Sequence, residues 1–482
     1  MTPLLGFMPD SDATTPGVLL DCEQLIPSEN GMSSAPSAIA PVGVGTLADA
    51  CRGAAVVSDL NGVRRIFAGT TTKIYELAST TYVDQSRVGS YTLGIDSRWT
   101  FESFGNSVLA ANEADAIQRS TGGVFSDIAT APKADIIFSI SGFVMALNYN
   151  SGTATTDGWA CCAYLDETNW APSVATQATR GRLVSSEGKI TAGKRLGNYA
   201  VAYKSKAIYL GQYVGAPVVW QWDQIIGGDA GCSGKEAIVD IGGAHVFVND
   251  ENFWVFDGTR PRPLGTGQVR QFWVDDSDPK YRFRTLAVHD KQGNRVWFYY
   301  CSRNSLGVRD SVLVYHLGTK QWGRANRSVE AVLQFVSPGL VINELDSLSS
   351  TIDGLPNIPF DSQYWFSGGR SVAVFDTAHQ ILQMNGIAEN SSMFTGDFGD
   401  DDGISMLRKS RLRFARSPTT STAIGFKSFV EGTPPTIGTT TTLTDGSYYM
   451  TQRGRWHRIK YNFTGEVQIT GIALELVPNG KR

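Results

Sequence analysis

The chain has 482 residues, with 42 Lys and Arg against 46 Asp and Glu, for a formal net charge of −4. A near-neutral balance argues against a DNA-coating protein with a basic surface, and 42% apolar residues argue against intrinsic disorder. Charged residues at 18%, 51 Gly and 11% aromatics describe a chain of many strands joined by tight turns, without long solvent-exposed helices.

Residues 1–45 are punctuated by Pro3, Pro9, Pro16, Pro27, Pro36 and Pro41, and the first 30 carry five acids and no Lys or Arg. An extended N-terminal arm is expected there, either solvated or lying on its own subunit or a neighbour. The opening Met1-Thr2-Pro3-Leu4-Leu5 has neither a basic n-region nor a long apolar h-region, so no signal peptide is expected. The longest apolar stretch, Ile136 to Leu147, is broken by Ser139, Ser141 and Gly142, so no membrane insertion is expected.

From residue 46 to 390 one unit recurs: a short apolar strand, a polar turn, and a second apolar strand. The clearest copy runs Val296-Trp297-Phe298-Tyr299-Tyr300, a loop through Asn304 and Gly307, Val312 to Leu317, and Gly318 to Trp322. Others are His245 to Val248 with Phe253 to Phe256, and Arg65 to Ala68 with Lys73 to Leu77; similar pairs begin near Val108, Met145, Tyr199 and Tyr364. Seven candidates fall between 66 and 386, about 46 residues each. Such a period with paired strands predicts a β-propeller of six to eight blades. Each blade packs on both neighbours, so its middle strands are buried on two faces and read as continuous apolar runs. Tyr315 and Trp322 sit seven positions apart across a turn, as do Tyr75 and Tyr82, and Ile241-Gly242-Gly243 precedes a strand. This cadence resembles kelch blades in architecture; a long β-sandwich or β-helix is the competing reading.

Composition then shifts. Residues 340–402 hold ten acids and one Arg, whereas 403–482 hold twelve basic and four acidic residues. A boundary falls near 386–403, and residues 391–482 are expected to form a small C-terminal β-sandwich. Its strands are expected near Arg411 to Ala415, Ile424 to Val430, Trp456 to Phe463 and Val467 to Leu476. The Thr-rich run Thr433 to Thr444, with Pro434 and Pro435, reads as a loop or edge strand.

Chemistry-bearing constellations are sparse. Cys22, Cys51, Cys161, Cys162, Cys232 and Cys301 make no C-x-x-C pair and read as reduced, buried thiols. His245, His289, His316, His379 and His457 make no metal-binding motif; His245 and His316 lie in or beside apolar strands, where a hydrogen-bonded histidine is the default. Asp397, Asp400, Asp401 and Asp402 crowd a Gly-rich turn without the EF-hand pattern. Thr155-Thr156-Asp157-Gly158-Trp159 falls short of a sialidase Asp-box, and no G-x-S-x-G elbow, Walker A loop or dinucleotide fingerprint occurs. No catalytic residue, cofactor or metal site is therefore assigned, and a non-enzymatic role is expected. The strongest basic feature is Arg408 to Arg416. On a strand, Lys409, Arg411 and Arg413 share one face, and Arg408, Leu412 and Phe414 the other. Lys409, Arg411 and Arg413 are candidate contacts for phosphate or for an acidic surface of another subunit.

Three features together resemble the tail hub or nozzle proteins of short-tailed bacteriophages, the group called packaged-DNA stabilisation protein and tail tubular protein B. They are the opening Leu25-Ile26-Pro27-Ser28-Glu29-Asn30-Gly31-Met32 with Pro36, the degenerate propeller with its Tyr315-to-Trp322 blade, and the tail end. There, Gly454-Arg455-Trp456-His457-Arg458-Ile459 is followed by Ile469-Thr470-Gly471-Ile472 and Gly480-Lys481-Arg482. The resemblance implies a virion tail protein, assembled in the cytoplasm of a bacterial host into a ring of six copies. Such a ring sits below the portal-adaptor protein, with needle, fibre or tailspike proteins around or below it. It lines the channel, retains packaged double-stranded DNA without specific binding, and lets it pass on ejection. The acidic stretch near 344–402 is expected to meet the lumen or a neighbour's basic patch. The alternative is a carbohydrate-binding or carbohydrate-cleaving propeller in a receptor-binding tail component; a cytosolic kelch-like scaffold is a third reading.

Overall fold

The computed structural model describes residues 2–336, 351, 370–429 and 435–481, apart from positions 42, 61, 79, 228 and 389. The start of the strand pair expected near Tyr364, the acids between 344 and 369, and the start of the Thr-rich run at Thr433 and Pro434 lie outside the described residues.

The protein is an all-β propeller joined to a β-sandwich. Six blades stand as separate four-stranded sheets. Blades 1 to 5 span Ala54–Ser58 to Thr81–Asp84, Thr100–Phe104 to Ser126–Asp127, Lys133–Ile140 to Thr179–Arg182, Ile190–Leu196 to Val219–Ile225, and Ile238–Asp240 to Arg262–Pro263. A further four-strand unit, blade 6, spans Leu286–Asp290 to Trp322–Val329 and continues into a larger sheet. Blade 7 comprises Ala331–Val336, Arg370–Phe375 and Ile381–Gly386, completed by Ser37–Ile39 from the arm, with Ile39 opposite Gln383. The first strands of successive blades touch in order around the axis, and that of blade 7 meets that of blade 1, so the ring is closed.

The apolar pairs legible in the sequence are the second and third strands of each blade. Ser107–Ala111 and His245–Val248 are buried throughout, as are Val296 to Tyr300 in blade 6. In blade 6, Tyr315 lies directly opposite Trp322, with ring centroids 4.8 Å apart. Outer strands, such as Thr81–Asp84, are mostly exposed. The short helix α1 (Arg270–Asp276) links blades 5 and 6, and its Trp273 is buried against Phe253 and Tyr300.

The arm is built into its own subunit. Leu25–Ser28 extends blade 6 through Arg324 opposite Leu25, then pairs with Gly31–Ser34, which pairs with Gln468–Lys481. That strand pairs with Gly403–Arg416, and this with Tyr448–Gly454, giving one ten-stranded sheet shared by propeller and sandwich. The facing seven-stranded sheet mixes arm strands Gly6–Phe7 and Val18–Glu23 with Asn390–Thr395, Phe398–Gly399, Trp456–Thr464, Thr420–Ser428 and Thr436–Thr442. Leu407, Leu412, Tyr448 and Ile469 of one sheet meet Phe7, Leu19, Ile459 and Tyr461 of the other in a core continuous with blades 4 to 6. Gly31 makes this close approach possible: at φ +93°, a Cβ there would lie 2.1 Å from the Ile469 carbonyl oxygen.

Four of the five acids in the first 30 residues are engaged within the subunit. Asp10 accepts hydrogen bonds from the Gln271 and Phe272 amides at the start of α1, Asp12 accepts from Thr14, Asp21 pairs with Arg324 at 3.2 Å, and Glu23 accepts from Asn326. The fifth, Glu29, is exposed.

Candidate functional site

The candidate contact residues lie on Gly403–Arg416, a strand held on both edges by Gln468–Lys481 and Tyr448–Gly454. Leu412 is buried in the sandwich core, and alternation therefore sends Lys409, Arg411 and Arg413 outward, where all three are exposed. Lys409 stands opposite Tyr449 and is paired with Glu475 at 3.0 Å. With both partners more than two-fifths exposed, that pair contributes at most about 1 kcal/mol. Arg411 and Arg413 make no side-chain hydrogen bond or ion pair among the described residues. Exposed Arg453, on the neighbouring strand, extends the same face.

One expectation fails. Arg408 does not share the inner face with Leu412 and Phe414; it is exposed. A register shift between Leu407 and Lys409 inserts an extra residue, so Leu407 points inward and Arg408 is turned out, adding a cation beside the face.

The Asp-rich turn is anchored by side chains of the following strands. Asp397 forms a bidentate ion pair with Arg458, and Asp401 accepts from the Trp456 indole at 2.8 Å. Asp400 accepts from the Asp402 amide, and both acids are exposed.

Four of the five histidines make side-chain hydrogen bonds within the fold. His245 is fully buried. Its Nε2 lies 2.9 Å from the Arg195 carbonyl oxygen, which only accepts, so the proton sits on Nε2 and Nδ1 accepts from the Tyr203 hydroxyl at 2.8 Å. Burial pushes its pKa down to about 4. His316 accepts from the Thr319 amide, His379 contacts Glu330, and His457 lies between Ser405 and Gln452. All six cysteines are free and buried; burial pushes five of the thiols up to about 12 and Cys301 to about 11.

The propeller axis holds a void of about 340 Å³ lined by residues including Ala55, Glu102, Ser139, Lys194, Asp240 and Val332. Glu102 accepts from the Ser139 hydroxyl at 2.6 Å, and burial raises its pKa. The whole void is no larger than the major groove of B-DNA over a single base pair, about 12 Å wide, 8.5 Å deep and 3.4 Å in rise, so a duplex cannot thread it. On the face formed by the turns between first and second and between third and fourth strands, a groove of about 1050 Å³ runs between blades 4 and 5. Tyr199 and Tyr213, each more than a third exposed, line it with Asn198, Gln212 and Asp257.

The sequence reading passed over a set of cations where the chain enters the first strands: Arg52, Arg98, Lys189, Lys235 and Arg284. The signal available was spacing, since 46 residues separate Arg52 from Arg98 and Lys189 from Lys235, matching the blade repeat.

No family model and no curated protein matches the chain. Among solved structures it is similar to the computationally designed Ika8 protein (11% identity, 72% of this chain and 99% of that chain, TM-score 0.37). It is also similar to YCF48 bound to D1 peptide (12% identity, 74% and 97%, TM-score 0.39). A third likeness is to a chain of the mitotic checkpoint complex (5% identity, 72% and 91%, TM-score 0.38). Likeness at this level carries no argument about function.

Proposed function

We propose that this chain is a structural subunit of a short-tailed bacteriophage tail, a hub or nozzle protein that assembles with copies of itself into a ring below the portal-adaptor. The ring retains packaged DNA and passes it on ejection. The observation that carries this reading is the row of Arg411 and Arg413, cations without an ion-pair partner among the described residues, on a strand continuous with the propeller through one sheet. A row of this kind on a stiff support suits a subunit contact, where complementary charge sets register and suppresses wrong partners. Most of the arm acids are engaged at home, so the exposed Asp400 and Asp402 of a neighbouring copy are the complementary partners in this reading. The conduit belongs between subunits, because the axial void of one propeller is too small for a duplex.

The test is Arg411→Glu with Arg413→Glu. Both side chains are exposed, so the monomer should fold with stability within about 0.5 kcal/mol of wild type. Ring or tail assembly, followed by electron microscopy of particles, should fail. Normal tails from the double variant would refute the assignment.

A second reading is favoured by the groove between blades 4 and 5. Two exposed tyrosine rings beside amide and carboxylate side chains suit a saccharide, which stacks its apolar face and hydrogen-bonds its rim. Binding on a glycan array that is lost in Tyr199→Ala, with assembly unaffected, would select this reading.

A further inference from the structure

At the mouth of the propeller where the chain enters the first strands lies a separate cavity of about 370 Å³. Its wall carries six cations, Arg52, Arg98, Lys189, Lys235, Arg284 and Arg309, against four carboxylates. Three pairs are made inside it: Arg98 with Glu236 at 2.5 Å, Lys235 with Asp135 at 2.9 Å, and Arg284 with Asp96 at 2.5 Å. The fourth carboxylate, Glu113, accepts from the Ser97 hydroxyl and keeps its charge, so the wall carries two more cations than anions. Arg52, Lys189 and Arg309 are left without an ion pair among the described residues.

The arrangement around Arg309 is the informative one. Its Nε donates to the Arg284 carbonyl at 2.6 Å and its Nη1 to the Glu330 carbonyl at 3.2 Å. Arg98, which is 7% exposed, donates to that same Glu330 carbonyl at 2.9 Å. Two guanidiniums therefore converge on one neutral oxygen, and Glu236, the carboxylate whose charge favours the protonated form of Arg309, is hydrogen-bonded to Arg98. Burial, followed by the charge of Arg98, pushes the pKa of Arg309 down to about 9. Across the cavity, Arg52 donates Nη1 to the Ile95 carbonyl, while its Nε is shielded from water and has no hydrogen-bond partner among the described residues. Clustered, partly desolvated cations lacking counter-charge are costly alone and are relieved by a bound anion. Guanidinium forks match the geometry of a tetrahedral oxyanion.

We propose that this mouth cavity is a binding site for a small oxyanion of the phosphate class, held by Arg309, Arg52 and Arg98 with Lys189 at the rim. The site is distinct from the Lys409, Arg411 and Arg413 face, which lies on the sandwich, and the proposal does not depend on the assembly reading.

The probe is inorganic phosphate replacing chloride at constant ionic strength, followed by phosphorus NMR line broadening and by the thermal unfolding midpoint of the full chain. Wild-type protein should show saturable broadening and a phosphate-dependent rise in midpoint. Lys189→Gln, at an exposed rim position, should weaken binding several-fold without changing the midpoint in chloride. Arg309→Gln should abolish binding; should that variant not fold, Arg52→Gln takes its place with a loss of about tenfold. The Arg411→Glu, Arg413→Glu protein should bind phosphate as wild type does. Phosphate acting no differently from chloride overturns the proposal. So does undiminished binding in both Lys189→Gln and the arginine variant, or binding that disappears only with the sandwich-face double variant.

Discussion

Acidification should destabilise this protein through His245, and the size of the effect follows from its site. The imidazole is fully buried, donates from Nε2 to the Arg195 carbonyl, and accepts at Nδ1 from Tyr203. A second proton would have to sit on Nδ1, against a hydroxyl already donating to it. Burial is the main cause that lowers the pKa from 6.5 to about 4; Lys194 adds to it, while the Arg195 hydrogen bond and Asp240 oppose it. Between these two values the unfolded chain binds a proton that the folded chain refuses. Stability therefore falls as pH drops below 6.5, and the loss is complete below about 4. The gap corresponds to about 3 kcal/mol. His245→Gln supplies the reference, because an amide can donate to Arg195 and accept from Tyr203 without titrating. Its packing defect is the same at every pH. His289, His316 and His457, whose pKa values are also lowered chiefly by burial, are common to both proteins and cancel in the difference. Urea unfolding at pH 7 and pH 4 should show the wild-type advantage shrinking by about 3 kcal/mol, or about 1 M in midpoint at an m-value near 3 kcal/mol/M. An advantage that stays constant across this range would refute the burial argument.

Gly31→Ala should cost about 3 kcal/mol, because the residue is held at positive φ and its Cβ would strike the Ile469 carbonyl. Faster proteolysis within residues 1–35 is the accompanying sign, and an unchanged melting temperature contradicts the docking described. Asp10→Ala should cost about 1 kcal/mol through loss of two amide acceptors at the start of α1, measured by denaturant unfolding. A thiol reagent at pH 8 should leave all six cysteines of native protein unmodified and label six after denaturation, since each is buried and its pKa raised. Rapid labelling of any of them in the native state would show that its burial is broken by local opening.

The propeller was legible because its second and third strands are packed on both faces, which forces runs such as Phe253 to Phe256 and Val312 to Tyr315. First strands were harder to find. They face a narrow void on one side, so Ala54-Ala55-Val56 and Thr100-Phe101-Glu102 mix small, polar and apolar residues without a period. Tyr448–Gly454 alternates buried and exposed residues perfectly, yet its outward Tyr, Thr and Arg and inward Gln hide the pattern from an apolar count. The arm's place was out of reach, because the partners of Met32 and Ser33 are Ile469 and Gln468, more than 400 positions away. The outward direction of Lys409, Arg411 and Arg413 followed from alternation alone, whereas the turn of Arg408 required a bulge that no residue type announces. The mouth cations escaped for a different reason: each is unremarkable in its own loop, and only ring closure sets Arg98 and Arg309, 211 positions apart, on one carbonyl.

Two features of the fold bear on how such a subunit could work under load. Joining propeller to sandwich through hydrogen-bonded strands means a force on the Gly403–Arg416 face is carried by backbone ladders into blade 6, and by blade packing around the closed ring. Closure of blade 7 by Ser37–Ile39 places the arm in both bodies: Leu25 pairs with Arg324 of blade 6, Met32 with Ile469 of the sandwich, and Ile39 with Gln383 of blade 7. A hinge between the two bodies would need a single flexible connection, and the chain instead crosses between them near residues 25–39 and again near 386–390. Stiffness of this kind gives no advantage to a monomeric scaffold that binds one partner on a loop. It matters for a part whose neighbours must stay in register, which is why the proposed subunit contact is sought on the rigid face of Arg411 and Arg413 and not on a loop.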